Sequence, residues 1–334
     1  MKAIEICITS ACNLKCLHCY QNNDKNTSFL SFEKYSELIE YLSEEDIENI
    51  VFSGGEFFMY PFAYEAINLA IEKTSAKITI QNNGTVINAE EFVNLYKTQN
   101  DRVKLSFSLD GFEQEHDIRR GKGAFKKLIT TNNYLRNNGF ITNTIVTIDG
   151  NNIYYLPELI EFATENFSTV TLLCIANVGA ASENSDLLGL EDNNIKRVIR
   201  MLYQQLSLNN RNNIRCNVFP YSLSLRYDGT LFPCSLARDM NLFMMGNINK
   251  DSIRTIVNNF PLTPEGKELL QYKSKNDIIE CSICPKLKDC HQGCRIRAMK
   301  AYKALMKPDP FACFVYGKDA FCNANVSNLF WGAI

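Results

Sequence analysis

Two hydrophobic rhythms alternate over the first half of the chain. Short β-branched runs at 3–9, 49–53, 77–81, 102–109, 142–148 and 169–176 read as strands, because apolar residues crowd together between turn residues. Between them apolar residues recur at three- and four-residue spacing. Leu38, Ile39 and Leu42 do so behind Ser31, a helix-opening residue, and the same period predicts helices over 62–73, 90–96, 124–137 and 156–164. Strand and helix in alternation require right-handed crossovers and hence a parallel sheet, with strands expected to be buried. The fold class is α/β. Such units curl toward a TIM-like barrel but fall short of the number that closes one; in either form chemistry collects at the carboxyl ends of the strands.

From 179 to 194 the residues turn small and polar, and the rhythm stops. The chain is expected to divide into a core over 1–190, a bridging helix (195–206) and linker within 191–213, and a cysteine-rich region over 214–334. This last region has too little apolar periodicity for a large core of its own, so bound metal clusters are expected to supply its cohesion. Composition then narrows the function classes. With 334 residues, 46% hydrophobic, and a formal charge of -2, the chain has no basic field to gather nucleic acid or an anionic membrane. It has no N-terminal apolar signal and no unbroken apolar run of about 18 residues, so a cytoplasmic location is expected. Thirteen cysteines in that compartment read as metal ligands rather than disulfides. Thiolate-bound clusters in that number also point to an anaerobic or microaerobic setting.

Three of the thiols lie on one loop after the first strand, Cys12-Asn13-Leu14-Lys15-Cys16-Leu17-His18-Cys19. Zinc wants a closed tetrahedron, and His18 is badly placed to join its neighbour Cys19 on one ion. An iron–sulfur cluster held by three thiolates instead leaves one iron open for a small molecule. Ser53-Gly54-Gly55-Glu56 ends the second strand, where glycines permit close approach and Glu56 offers a carboxylate to an ammonium group. Asn82-Asn83-Gly84-Thr85 ends the third. Alternation puts Ser106, Ser108 and Asp110 on one face of the fourth, and Arg119-Arg120 precede Gly121-Lys122-Gly123. Together these motifs resemble radical S-adenosylmethionine (SAM) enzymes, with Phe57 and Asn82 standing where the family usually has Pro and Thr. The resemblance implies a partial (β/α)6 barrel open on one side, SAM as cofactor, and a [4Fe–4S] cluster on Cys12, Cys16 and Cys19. It also implies SAM contacts from Gly54, Gly55, Glu56, Asn83, Ser106, Ser108, Asp110 and Arg120. Of these, Glu56 is expected at the amino group and Arg120, with Arg119 in reserve, at the carboxylate.

A second cysteine series runs Cys216-x12-Gly229-x4-Cys234, then Cys281-x2-Cys284-x5-Cys290-x3-Cys294, then Cys313. C-x2-C pairs suit zinc as well. The whole order, with Cys294-Arg295 opening a helix and Asp309-Pro310 ahead of Cys313, resembles the SPASM extension of radical SAM enzymes. That resemblance implies two auxiliary [4Fe–4S] clusters, one on Cys281, Cys284, Cys290 and Cys313, the other on Cys216, Cys234 and Cys294. The second set lacks a fourth thiolate, so its last position is open or capped by Cys322, Cys174 or a substrate atom. Cys7 and Cys174, on strands, read as small buried hydrophobes. Asp228-Gly229 reads as the hairpin turn that delivers Cys234, and the cations at 295, 297, 300, 303 and 307 as a solvated basic face.

On the same resemblance, one-electron reduction splits SAM to methionine and a 5′-deoxyadenosyl radical, which takes hydrogen from an unactivated position. The expected substrate is a peptide or protein side chain, with ribosomal peptide maturation first. Formylglycine formation as in anaerobic sulfatase maturation and dehydrogenation of a small alcohol are the alternatives, and a zinc-stapled binding protein without turnover is the reading from outside the class. Implied partners are a flavodoxin- or ferredoxin-type electron donor and, since the chain starts directly at its first strand, a separate surface or protein that reads any leader peptide.

Overall fold

The computed structural model describes residues 1–21, 27–175, 178–190, 197–198, 200–201, 218–271, 274–288, 290 and 293–315. The bridging helix expected at 195–206 falls mostly outside the described residues, and Cys216 and Cys322 wholly so. Strands β1 (Ala3–Cys7), β2 (Asn49–Ser53), β3 (Lys77–Asn82), β4 (Val103–Ser108), β5 (Thr142–Ile148) and β6 (Thr169–Cys174) form consecutive parallel pairs. Helices α1 (Phe32–Glu44), α2 (Ala63–Lys73), α3 (Ala89–Tyr96), α4 (Glu113–Arg120), α5 (Ala124–Asn137) and α6 (Leu156–Asn166) make the crossovers. The side chain of Ser31 caps α1 by accepting the Lys34 N–H at 3.3 Å. This is the partial barrel the sequence implies.

Helix α4 was not among the expected elements. Its eight residues carry almost no apolar character, yet His116, Arg119 and Arg120 are buried. They fall at i, i+3 and i+4, a polar stripe at helical spacing.

The strands differ from expectation in one respect: they are buried on one face, not two. Ile4, Ile6, Ile50, Phe52, Ile78, Ile80, Leu105 and Phe107 point to the helices and are fully buried. Tyr35 of α1 packs on Phe52 and donates its hydroxyl to the Ala66 carbonyl of α2 at 2.6 Å. The opposite face is mostly polar, with Val51, Ile145 and Leu173 among its apolar positions. Gln81 pairs in register with Ser106, Ser106 with Asn143 and Asn143 with Thr169, while Cys7 pairs with Ser53. Closed barrels fill that interior with branched apolar side chains; here hydroxyls and carboxamides line it.

The sheet continues beyond β1. Strand β7 (Ser222–Leu225) runs parallel to β1, and β8 (Thr230–Phe232) and β9 (Gly246–Asn247) follow antiparallel, so the order is β6-β5-β4-β3-β2-β1-β7-β8-β9. The β7–β8 turn at Asp228-Gly229, with Gly229 at φ 83°, places Cys234 just past β8, as its Asp-Gly sequence predicts. Helix Ile253–Asn259 packs back on α1. Among the described residues, no helix is long and apolar enough to cross a membrane.

Candidate functional site

The cysteine loop leaves β1 at the carboxyl edge of the sheet, and its backbone is held from several sides. The Gly55 N–H donates to the Thr9 carbonyl and the Glu56 N–H to the Ala11 carbonyl, both at 2.8 Å. A Cβ on Gly55 would stand 2.4 Å from the Ala11 oxygen, and one on Gly54 2.6 Å from the Thr9 oxygen. Close approach by the loop's own backbone is therefore what demands both glycines. Farther along, the Leu17 N–H donates to the Arg119 carbonyl, and the Cys19 carbonyl accepts the Ala180 N–H, each at 2.9 Å. Asn13 bridges to the end of β3: it donates to Thr85 Oγ1 at 2.8 Å and accepts from Asn83 Nδ2 at 2.9 Å.

Glu56 sits beneath this bridge, buried, with its carboxylate accepting the Asn83 N–H at 2.7 Å and the Phe58 N–H at 3.2 Å. Burial pushes its carboxyl up to about 7 against those two hydrogen bonds. A cationic ligand group beside it would stabilise the ionised form. Ser106 and Ser108 lie on the concave face below, and their hydroxyls make no hydrogen bond among the described residues.

Asp110, past the end of β4, is turned into the wall rather than the lumen. One oxygen accepts the Thr147 N–H at 3.0 Å and the other the Nε–H of Arg120. Burial pushes the Asp110 carboxyl up, but Arg119 and Arg120 outweigh it and hold the group well below the usual carboxylate range. Arg119 in turn donates to Thr147 O at 2.8 Å and to His18 Nδ1 at 3.1 Å, and pairs with Asp149 at 3.3 Å. His18 is thus enclosed by two guanidiniums. Burial first, and then Arg119, keep its imidazole neutral far below its ordinary pKa. Sequence reading weighed His18 as a badly placed zinc ligand, and missed Asp149 and Asn152, which close this network. Asn152 donates to the carbonyls of Asp110 and Thr147 at 3.1 and 2.8 Å.

The thiols of Cys12, Cys16 and Cys19 are free, partly exposed, and within electrostatic range of one another. Among the described residues no three His, Cys, Asp or Glu side chains converge as for one metal ion. A donor set of three soft thiols with no carboxylate ligand suits an iron–sulfur cluster better than a hard cation. The residues present fit that group.

The C-terminal cysteines are organised differently. Cys281 and Cys284 lie on and just after the one-turn helix Ile279–Ser282, and the Cys290 N–H donates to the Lys286 carbonyl at 2.8 Å. Asp309 is the hub. Its carboxylate accepts the Cys294 N–H at 2.7 Å and pairs with Arg297 at 2.6 Å, and its carbonyl accepts the Cys313 N–H at 3.0 Å. The basic run is a solvated face only in part: Lys303 and Lys307 are exposed, while Arg295 is buried on the carbonyls of Leu305 and Lys307, Lys300 pairs with Asp239, and Lys307 with Glu280. Cys174 closes β6 inside the hydrophobic core.

Residues 6–163 match the Radical SAM superfamily, and residues 216–290 match SPASM, an iron-sulfur cluster-binding domain. The chain is similar to the antilisterial bacteriocin subtilosin biosynthesis protein AlbA of Bacillus subtilis (strain 168), at 28% identity over 155 residues, 46% of this chain. That stretch spans 34% of AlbA's length. In fold it is similar to anSMEcpe with bound AdoMet and Cp18Cys peptide, with a TM-score of 0.69 at 16% identity over 95% of both chains. Streptococcus suis SuiB bound to precursor peptide SuiA superposes with a TM-score of 0.70 at 15% identity, over 93% of this chain and 75% of that one. The chain thus carries a radical SAM domain and a C-terminal SPASM domain, joined by one continuous sheet, and these domains imply SAM and [4Fe–4S] clusters as cofactors.

Proposed function

We propose that the protein is a peptide-modifying radical SAM enzyme, a maturase of ribosomal peptides, with residues 1–190 as its core, 191–213 as a bridge and 214–334 as its auxiliary-cluster domain. The observation that carries this reading is the polar concave face of the open barrel, beside the three-thiol loop. Carboxamides and hydroxyls at Gln81, Ser106, Ser108 and Asn143 suit the hydrogen-bonding groups of a peptide better than an apolar substrate.

When bound, SAM and its cluster supply a carbon radical that removes hydrogen from the substrate. The chain's own residues orient and enclose. Glu56 offers an anionic oxygen to the SAM ammonium, Gly54 and Gly55 bring the loop onto β2, and Asn83 ties that loop to β3. Ser106 and Ser108 face the space that the ribose or the substrate would occupy. Asp110 acts indirectly by fixing Arg120, which lies against the loop at Cys16 and His18. In the SPASM region Cys281, Cys284, Cys290 and Cys313 would hold one auxiliary cluster, and Cys234 and Cys294, with Cys216, the other. Oxidative bond formation removes two hydrogens from the peptide, one as an atom and one as a proton plus an electron; an auxiliary cluster would receive that electron. A flavodoxin- or ferredoxin-type protein would start the cycle, and the cytoplasm is the proposed location.

The test is anaerobic incubation of reconstituted protein with SAM, a reductant and short peptides encoded beside its gene. A peptide lighter by two hydrogens, formed only with SAM, supports the reading. Turnover of a small alcohol with no peptide changed would overturn it.

A further inference from the structure

A block of polar side chains in the middle of the concave face lacks partners among the described residues. On β3 and β4, Thr79 pairs in register with Lys104 and Gln81 with Ser106, and alternation turns all four away from Ile78, Ile80, Leu105 and Phe107, which are buried against the helices. None of these four side chains has a hydrogen-bond or ionic partner among the described residues. Toward its edges the face is different. Ser53 donates to Glu5 Oε1 at 2.8 Å, Arg238 pairs with the same oxygen at 3.0 Å, and Thr169 donates to Asn143 at 2.6 Å. Glu5 is thus compensated, and in register it lies three strands from Lys104, about 14 Å at the usual strand spacing. Of the partly or fully buried Lys and Arg side chains among the described residues, Lys104 alone has no partner. The others sit on carboxylates or on backbone carbonyls, as Arg102 does on those of Ala76 and Ile71 at 3.0 Å.

We propose that Lys104, with Thr79, Gln81 and Ser106, forms a subsite for a carboxylate of the peptide substrate. An ammonium, two hydroxyls and a carboxamide offer donors from one side, and an ionised carboxylate is an acceptor only, with room for about four hydrogen bonds. A neutral ligand group would satisfy the hydroxyls but leave the charge of Lys104 unanswered on a face where Val51, in register with Thr79, is apolar. The proposal rests on the reading of the concave face as the place of a peptide. It narrows that substrate to a peptide with an acidic side chain or a free C-terminal carboxylate. Lys104 stands two residues before Ser106 on β4, about 7 Å farther from the cysteine loop, so it anchors a part of the peptide other than the part that meets the radical.

The experiment is anaerobic titration calorimetry of full-length reconstituted protein, saturated with SAM, against short peptides encoded beside its gene. Each peptide is also made with Asn and Gln in place of Asp and Glu, and with its C-terminus amidated. Removal of the recognised carboxylate is expected to weaken binding to the parent about tenfold. Which of the two modified peptides shows the loss tells the side chain from the terminus. Lys104→Met should weaken the unmodified peptide by the same factor at equal iron content, and in that variant removal of the carboxylate should have no further effect. Lys104→Arg, which keeps the charge, should retain most of the affinity. Equal affinity of parent and Lys104→Met for the unmodified peptide overturns the proposal, as does a carboxylate whose removal costs the same in both. Should Lys104→Met fail to load iron, equal affinity of the parent for all three peptides overturns it equally. A parent that binds none of the peptides would instead overturn the peptide reading beneath it.

Discussion

The two cysteine sites of this chain are built in opposite ways. The Cys12–Cys19 loop is clamped by a finished scaffold: backbone from Gly55, Glu56, Arg119 and Ala180, and side-chain bonds from Asn83 and Thr85. Its neighbours Ile6, Ile8, Phe52 and Phe57 are fully buried in the core. The C-terminal cysteines sit on short turns and one-turn helices, and the backbones of Cys294 and Cys313 hang on the single residue Asp309. A loop fixed by hydrogen bonds and packing keeps its shape without metal, whereas a region with little core of its own must draw stability from the metal it binds.

The largest effect separates the sites by function. Replacing Cys12, Cys16 and Cys19 together by Ala should abolish 5′-deoxyadenosine formation and remove about one third of the iron, while auxiliary-cluster spectra persist. SAM cleavage at the parental rate in that variant breaks the assignment of the loop.

Next comes Asp309→Ala, which leaves Arg297 without its buried partner and the Cys294 and Phe311 N–H groups without their acceptor. Removing one member of a buried ion pair costs about 3–5 kcal/mol. Auxiliary iron should be lost and hydrogen exchange over 281–315 accelerated, with the barrel strands still protected. Equal loss of protection in β1–β6 would show that the two sites are not separate in stability.

A smaller effect is expected from Gly55→Ala, because the new methyl must displace the Ala11 carbonyl. Overpacking of this kind costs about 1–3 kcal/mol. Slower SAM cleavage with the auxiliary clusters intact is the expected result, and a fully active variant would show that the loop is less tightly clamped than described.

The smallest effects concern Glu56. Loss of one charge-assisted contact to the SAM ammonium should weaken SAM binding by about tenfold in Glu56→Ala, measured by calorimetry; unchanged affinity would leave the Gly-Gly-Glu turn a purely structural feature. Its raised carboxyl gives a pH test on protein without SAM. Between the ordinary 4.5 and the folded value of about 7 the folded state binds the extra proton, so stability contributed by the neutral acid is lost as pH rises through that window. Urea denaturation should show that decline in the parent, and Glu56→Gln should flatten it.

Much of the scaffold was legible because apolar periodicity reports what packs on helices, and Ile4, Ile6, Phe52 and Leu105 do so. The same signal is silent about a face lined by Gln81, Ser106 and Asn143, since polar residues fit a lumen and a surface equally well. Cysteine spacing pointed to the three-thiol loop at the carboxyl edge. It carried no information on the burial of His116, Arg119 and Arg120 on α4, whose two arginines read in sequence as ligand contacts rather than wall, nor on the partners of Asp309, since Cys294 and Arg297 lie 15 and 12 residues away. Buried charge is legible only once its counter-charge is placed.

The central claim is tested most directly by anaerobic reconstitution, with metal analysis and product assay on the same sample. The account predicts about twelve irons per chain for three [4Fe–4S] clusters, together with 5′-deoxyadenosine formed from SAM on reduction. Zinc in place of iron, with SAM left intact, would contradict it.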